Sequence, residues 1–478
     1  MRAGHTHKSG LERTLSALRA QVSAACDGED PAQMKEVLGK VEQTLRAAEL
    51  QLAGSRLHTG DHPAAATLDA HTLEYVKAVY TEEEHDIASS LAEIDRTTST
   101  TLLSPTSKRL SRHQRLKEAS PEMVSLLERA GCFDFDALAF TALDGVKSLP
   151  ITILGLHLVG HGPNGDLISS MHDHGRFEDP KLFTNRVSSF FEKLDAKYKV
   201  DALYHGHAHA VDVMSTSQWF LSSKLGKSQC NPLECFMMLM GSAMHDVGHM
   251  GRNNMFYTKT MAPLAIQYND KSVLENMHLA TSFAVMSEEE DCNWFKLLTS
   301  QTYVRSGLIN MVLATDPTKH NKHMEQLKEV ADRLKEDPEL MSPRKERPSD
   351  KDMQKYRDDK FCLLGNLLHA ADVSNPTKPQ HMMLAWTDRL LQEFFAQGDE
   401  EASLGVPISP LCDRTAGMAS VPKGQIGFVN FVIQPFFQVI AGPIEETKEA
   451  LDQLAKNVEF WKGKDAEKAT YEQIFGKK

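Results

Sequence analysis

The stretch YHGHAHAVDV, residues 204–213, carries three histidines within five positions: His205, His207 and His209. On a helix, residues four apart share a face, one turn above the other. That spacing predicts a shared face for His205 and His209 and turns His207 to the outer face as a bystander. Two imidazoles on one face can grip a metal, or one can grip it while the other moves a proton. Chance placement on a surface is the competing explanation, and the rest of the chain has to decide.

Three further segments are of the same kind. SAMHDVGHMGRNN sets His245 beside Asp246 and places His249 four positions after His245. LLHAADVSNP places His369 three before Asp372, and VLENMHLA places Glu275 three before His278. Each interrupts an otherwise apolar segment. A buried carboxylate without a partner costs roughly several kcal/mol, so such groups are paired or bound to metal. One intrusion alone reads as a satisfied core group; four on separate apolar helices point to a shared metal site. Imidazole and carboxylate without thiolate suit Zn, Mn, Fe or Mg. Two carboxylates allow one to bridge two ions, an arrangement that activates water for attack on phosphorus.

The elements that must position these residues read as helices. DPKLFTNRVSSFFEKLDAKY, LECFMMLMGSAMHDVGHM, VLENMHLATSFAVM, KFCLLGNLLHAADV and LAWTDRLLQEFFAQG all show helical rather than alternating periodicity. SLPITILGLHLVG is the one candidate strand, and residues 336–352 read as a charged, solvated loop. The expected fold class is all-α. The expected domains are a compact multi-helix catalytic domain over residues 116–478 and an N-terminal helical extension with its linker over residues 1–115.

Of the 478 residues, 41% are hydrophobic and 25% charged, which describes a globular chain. The formal net charge of -12 argues against a nucleic-acid partner, although a bound metal still lets an anionic small substrate in. The opening residues lack the apolar core of a signal peptide, and no run of about 18 apolar residues predicts a membrane span. Seven scattered cysteines without a C-x-x-C pair fit reduced thiols and a cytoplasmic setting.

HDVGHMG at residues 245–251, followed by Asn254 and Phe256, resembles the signature of class I cyclic nucleotide phosphodiesterases, within the wider HD-domain metallohydrolases. YHGHAHAVDV, YNDKSVLENMHLA, LATDPTKH, HAADVSNPTKP, WTDRLLQEFF and GQIGF also resemble segments of that family, in the family's order, over about residues 130–460. The resemblance implies hydrolysis of a 3′,5′-cyclic nucleotide to the 5′-monophosphate with two divalent metal ions. His209, His245, Asp246 and Asp372 would hold the tighter one, expected to be Zn. Asp246 would also touch the second, expected to be Mg or Mn, and a hydroxide bridging the ions would be the nucleophile. By the same resemblance His205 is the general acid that protonates the leaving ribose 3′-oxygen, and Tyr204 contacts substrate. Glu275, His249, His278 and Thr315 would lie behind the ligands and orient metal-bound water or His205. His369 is not taken as a ligand.

The base falls to the C-terminal third. Gln425 in GQIGF matches the family's purine-binding glutamine, Phe428 the aromatic that stacks on the base, and Leu390 the opposite aliphatic wall; without the resemblance, Phe428 and Leu390 read as core. Asn375 resembles the cAMP-selective branch, so cAMP is the expected substrate, with dual cAMP/cGMP specificity next. Other readings are a different HD-type phosphohydrolase and a cyclic-nucleotide sensor without turnover. Three positions depart from the family: Gly206 replaces an asparagine, Gly248 an acidic residue, and Met277 a frequent histidine. The helices of residues 1–115 have too little sequence for a large core of their own and are expected to pair with a second copy, giving a homodimer, or to fold back on the catalytic domain. Ser111, in KRLS, is a candidate phosphorylation site.

Overall fold

The computed structural model describes residues 120–199, 202–343 and 349–476, all in helices, turns and loops. The expectations for residues 1–115, including the paired helices and Ser111, lie outside the described residues. No strand occurs among the described residues; the sole β pairing is an isolated bridge between Gly162 and Gly165. The candidate strand is the helix Pro150–His161. Pro150 at its first turn supplies the helical φ, and Asp195 accepts hydrogen bonds from the Ile151 and Thr152 amides at 3.0 and 2.9 Å. Its apolar residues run nearly all round because the helix is buried in the core, so periodicity could not distinguish it from a buried strand.

The helix His207–Ser222 lies at the centre, packed against Pro232–Met244, Asp350–Asp372 and Pro150–His161. Residues from His209 to Gln218 along it are all buried, polar ones included. Three of those polar groups are matched by neighbours: Ser215 accepts from the Gly131 amide at 2.9 Å, Ser242 donates to Ser217 at 2.8 Å, and Lys378 donates to Thr216 at 2.7 Å. Satisfied polar groups of this kind fix the register of a central helix rather than destabilise it.

Pro232–Met244 starts with a capping box in which Asn231 and Glu234 satisfy each other's amides, with Pro232 in the first turn. Glu234 does more than cap. Fully buried, it accepts from Lys360 at 2.9 Å, Tyr303 at 2.8 Å and Tyr356 at 2.6 Å, and so ties three helices together. Lys360 also donates to the carbonyls of Gln229 and Met341. Met341 is fully buried, so the segment expected to be a solvated loop is anchored at its start; residues 344–348 within it are not described. Glu234→Ala would strand the Lys360 ammonium without its counter-charge. The expected loss is about 3–5 kcal/mol of unfolding free energy, read by urea denaturation, with Glu234→Gln losing less.

One stretch among the described residues, Ser420–Ala441, is long and apolar enough to cross a membrane by length and composition alone, a test that a core helix also passes. It contains Pro422, a π-helical segment Val429–Ile433 and then Gln434–Ala441, and it packs along Thr447–Ala466. Its first part also carries Gln425 and Phe428 to the wall of the main cleft.

Candidate active site

The chain ends its helices where the chemistry is. Pro232–Met244 stops one residue before His245, so His245 is its C-terminal cap and Asp246 and His249 lie on the turn beyond. Asp350–Asp372 ends on Asp372 itself. The helix of the opening motif begins only at His207, with Gly206 as its N-terminal cap. His205 therefore sits on the preceding turn and not on a shared helical face with His209, which corrects the spacing argument. The two rings still meet edge to face at 5.6 Å. His207 is half-buried rather than on the outer face: its Nε2–H donates to the Asp195 carbonyl at 2.8 Å.

His209, His245, Asp246 and Asp372 converge, with one donor atom from each within 4.8 Å of all the others. His209 Nε2 lies 2.9 Å from Asp372 Oδ1, 3.3 Å from His245 Nε2 and 3.5 Å from Asp246 Oδ2. His245 Nε2 lies 3.3 Å from Asp246 Oδ2 and 3.5 Å from Asp372 Oδ1. Donors placed about 2.1 Å from one cation are separated by roughly 3.0 Å in octahedral and 3.4 Å in tetrahedral geometry, so the spacings fit a single shared ion. His245 Nδ1–H donates to the Ser242 carbonyl at 2.8 Å, which turns the Nε2 lone pair into the cluster. Asp246 Oδ2 is buried without a hydrogen-bond partner, as a cation ligand would be. His209 Nδ1 is likewise buried and unpartnered, so nothing behind that ring fixes its tautomer. Burial opposes charge on His245, yet Asp246 and Asp372 together hold its ring well above the usual histidine range. The cluster is short of positive charge, a demand that a divalent cation meets.

Asp246 turns its other oxygen away from the cluster. Oδ1 lies 3.5 Å from His278 Nε2, while His278 Nδ1–H donates to the Val247 carbonyl at 2.8 Å. Burial lowers the His278 pKa to about 4, so a lone pair and a carboxylate oxygen face each other across a gap suited to a donor or a second cation. Glu275 lies beyond, accepting from Asn254 Nδ2 at 3.2 and 3.1 Å. Burial and the neighbouring Asp316 raise its pKa to about 8. Thr315 lines the same cleft, but its hydroxyl donates back to the Val312 carbonyl at 2.8 Å. His369 is spent elsewhere, paired with His320 Nδ1 at 2.9 Å.

The residue that sequence reasoning missed is Glu393. Its Oε1 accepts from His205 Nδ1, and its Oε2 from the backbone amides of Tyr204 and His205 at 3.0 and 3.3 Å. A carboxylate only accepts, so His205 carries a proton on Nδ1 and turns Nε2 elsewhere. Burial disfavours the charged ring, but Glu393, Asp246 and Asp372 outweigh it and raise the His205 pKa to about 9. The His249 ring stacks on His205 at 4.1 Å; burial and the His205 charge hold it neutral, near pKa 3. A signal for Glu393 existed: Trp386, Leu390, Glu393 and Gln397 stand at helical spacing on Gln380–Ser403, and all four line the cleft.

The cleft, about 210 Å³, runs from these polar residues to Leu390, Gln425 and Phe428. No side chain among the described residues hydrogen-bonds the Gln425 amide. Asn375 lines the cleft too, but its amide is already engaged: Oδ1 accepts from the Tyr204 hydroxyl and Nδ2 donates to Asp212 at 3.1 Å. Gly248 and Met277, two of the departures, are neighbours: a Cβ at Gly248 would lie 3.5 Å from the Met277 sulfur. Gly248 has φ of +81°, a conformation that strains any side chain placed there.

This helical fold carries a mixed imidazole and carboxylate cluster with the donor set of a divalent-metal site. Residues 204–454 match the family model described as 3'5'-cyclic nucleotide phosphodiesterase. The chain is 38% identical over 325 residues to the dual specificity calcium/calmodulin-dependent 3',5'-cyclic nucleotide phosphodiesterase 1B of Cricetulus griseus, covering 67% of this chain and 53% of that one. It is 36% identical to the enzyme of the same name from Homo sapiens, covering 68% and 54%. The chain thus spans about half the length of these curated relatives. Among solved structures it is similar to the phosphodiesterase domain of RhoPDE fusion protein from the choanoflagellate Salpingoeca rosetta, with a TM-score of 0.58 and 27% identity over 71% of this chain and 97% of that one. The protein belongs to the 3′,5′-cyclic nucleotide phosphodiesterase family.

Proposed function

We propose that the chain hydrolyses 3′,5′-cyclic nucleotides to nucleoside 5′-monophosphates, accepting both cAMP and cGMP. The observation that carries this reading is one cleft joining the four-donor cluster, His205 with its carboxylate, and an apolar clamp with a glutamine at its far end. His209, His245, Asp246 and Asp372 would hold one divalent ion, expected to be Zn. Asp246 would share the second, expected to be Mg or Mn. When bound, the ions supply positive charge at the phosphoryl oxygens and a water activated at neutral pH.

The chain's own residues do the rest. His205, held protonated by Glu393, delivers a proton to the departing 3′-oxygen. Phe428 and Leu390 clamp the base, and Gln425 meets its edge. An amide offers a donor and an acceptor, and one that no neighbour locks can turn to suit adenine or guanine. That favours dual specificity over the cAMP preference read from Asn375, and it agrees with the names of the curated relatives. The setting is cytoplasmic, in keeping with the six free cysteines among the described residues.

The test is kcat/KM for cAMP and cGMP at one metal concentration. Turnover of both within about tenfold supports the reading; turnover of neither, with metal bound, would make the protein a sensor. Glu393→Gln gives a second check. It removes the charge that raises the His205 pKa, so the protonated form is lost at a lower pH. The basic limb of the kcat profile should move down while the acidic limb stays, as measured from pH 6 to 10.

A further inference from the structure

We infer that Ser272 is a positioning residue: its hydroxyl, bonded to Asp316, holds the first turn of the helix Val273–Glu288 so that Glu275 faces the end of the cleft that would take the second, more weakly held divalent ion. The inference rests on the reading of the cleft as a two-ion site.

Ser272 has φ of +44° and ψ of +52°, the left-handed region that an L side chain crowds. It stands at the N-terminal cap of its helix, where a serine ordinarily turns its oxygen onto the first amides. Here the side chain makes no such bond. Its Oγ–H donates instead to Asp316 Oδ2 at 2.6 Å. Asp316 is buried and itself fixed, with Oδ1 accepting from the Thr318 amide at 2.9 Å and the Thr318 hydroxyl at 2.8 Å. The capping falls to Asn254, whose Oδ1 accepts from the Leu274 amide at 2.9 Å while its Nδ2 donates to the Glu275 carboxylate.

Two clips therefore meet on one turn. Asn254 holds Glu275 directly, and Ser272 holds the backbone that delivers it. A left-handed serine persists only where its surroundings over-determine it, and the bond to Asp316 is what the side chain adds to that. The same helix carries His278, whose Nε2 lies 3.5 Å from Asp246 Oδ1. Glu275, His278, Asp246 and Asp316 all line the cleft, and Ser272 does not. A group two steps removed from an ion still governs its affinity by fixing the groups nearer to it.

Three substitutions separate the hydroxyl from the backbone. Ser272→Ala keeps the crowding and loses the bond, so the turn is free to relax. Ser272→Gly removes the crowding but gives Asp316 no donor. Ser272→Asn tolerates the left-handed conformation and offers Asp316 an N–H.

The experiment titrates Mn(II) into the native chain and each variant, all loaded first with one equivalent of Zn. Free Mn(II) is followed by electron paramagnetic resonance at a temperature where every sample is folded, so a change of stability alone cannot move the reading. In Ser272→Ala the Mn(II) dissociation constant should rise about tenfold, the low end of the range for losing a group behind a metal ligand. Ser272→Gly should show a smaller rise and Ser272→Asn a value near the native one, with Zn content unchanged in all three. Native affinity in either Ser272→Ala or Ser272→Gly overturns the inference, since the backbone would then place Glu275 without the hydroxyl. A loss in Ser272→Asn equal to that in Ser272→Ala overturns it too, because the donor would not be what matters. Should Ser272→Ala not fold, Ser272→Gly carries the test. A native chain that takes up no second ion defeats the two-ion reading itself, and this inference with it.

Discussion

Asp372→Ala loses the tightly held divalent ion and turnover together, the largest effect expected of any single substitution here. Asp372 Oδ1 touches both ring nitrogens of the cluster, at 2.9 and 3.5 Å. Alanine removes one of the four donors and one of the two carboxylates that would neutralise the ion, which weakens its hold. The helix that ends at Asp372 should survive, because its last turn loses a crowded charge and no packing. Metal analysis beside a turnover assay reads both effects at once. Activity falling to the assay floor with metal retained would show that Asp372 serves the chemistry without holding the ion.

His205→Asn should behave in the opposite way, keeping the metal while kcat falls roughly 10²–10⁴-fold, the usual scale for a general acid. His205 stands outside the donor cluster and its Nδ1 is committed to Glu393. Asparagine retains an N–H for that carboxylate, which is 5% exposed and costly to leave bare. A substrate with a good leaving group needs no proton from the protein, so an activated aryl phosphodiester should recover most of the lost rate. Loss of metal from this variant, or no recovery with the aryl ester, would mean that His205 is a ligand or a structural group.

Much of the site could be read before any coordinates. Polar groups inside apolar segments pointed to a shared metal site, the family resemblance singled out His209, His245, Asp246 and Asp372 among them, and the structure brings these four together. What could not be read was which local element carried each. His205 reads as helical from its spacing, yet the helix starts two residues later at a glycine cap, because spacing along a chain holds no information about where hydrogen bonding begins. Glu393 was not singled out, because one acidic residue on an amphipathic helix carries no sign of its partner. Only the fold turns its face towards His205, 188 residues away. Asn375 shows the same limit from the other side: its chemistry suits adenine, but its amide is already held by Tyr204 and Asp212. The helical class was legible from periodicity throughout, except at Pro150–His161, where burial on every side erased the period.

The four donors also have a bearing on folding. His209 and His245 are 36 residues apart, and His209 and Asp372 are 163 apart, so one ion held there would fasten three distant stretches of chain at a single point. An ion bound only by the folded form adds RT ln(1 + [M]/Kd), about 4 kcal/mol when its free concentration is a thousand times Kd. A chelator would take that reinforcement away and leave two carboxylates and two imidazoles facing one another in the core. The heat tolerance of this domain is therefore a reporter of its metal load, and stripped protein should melt first at the junction of the helices that meet there.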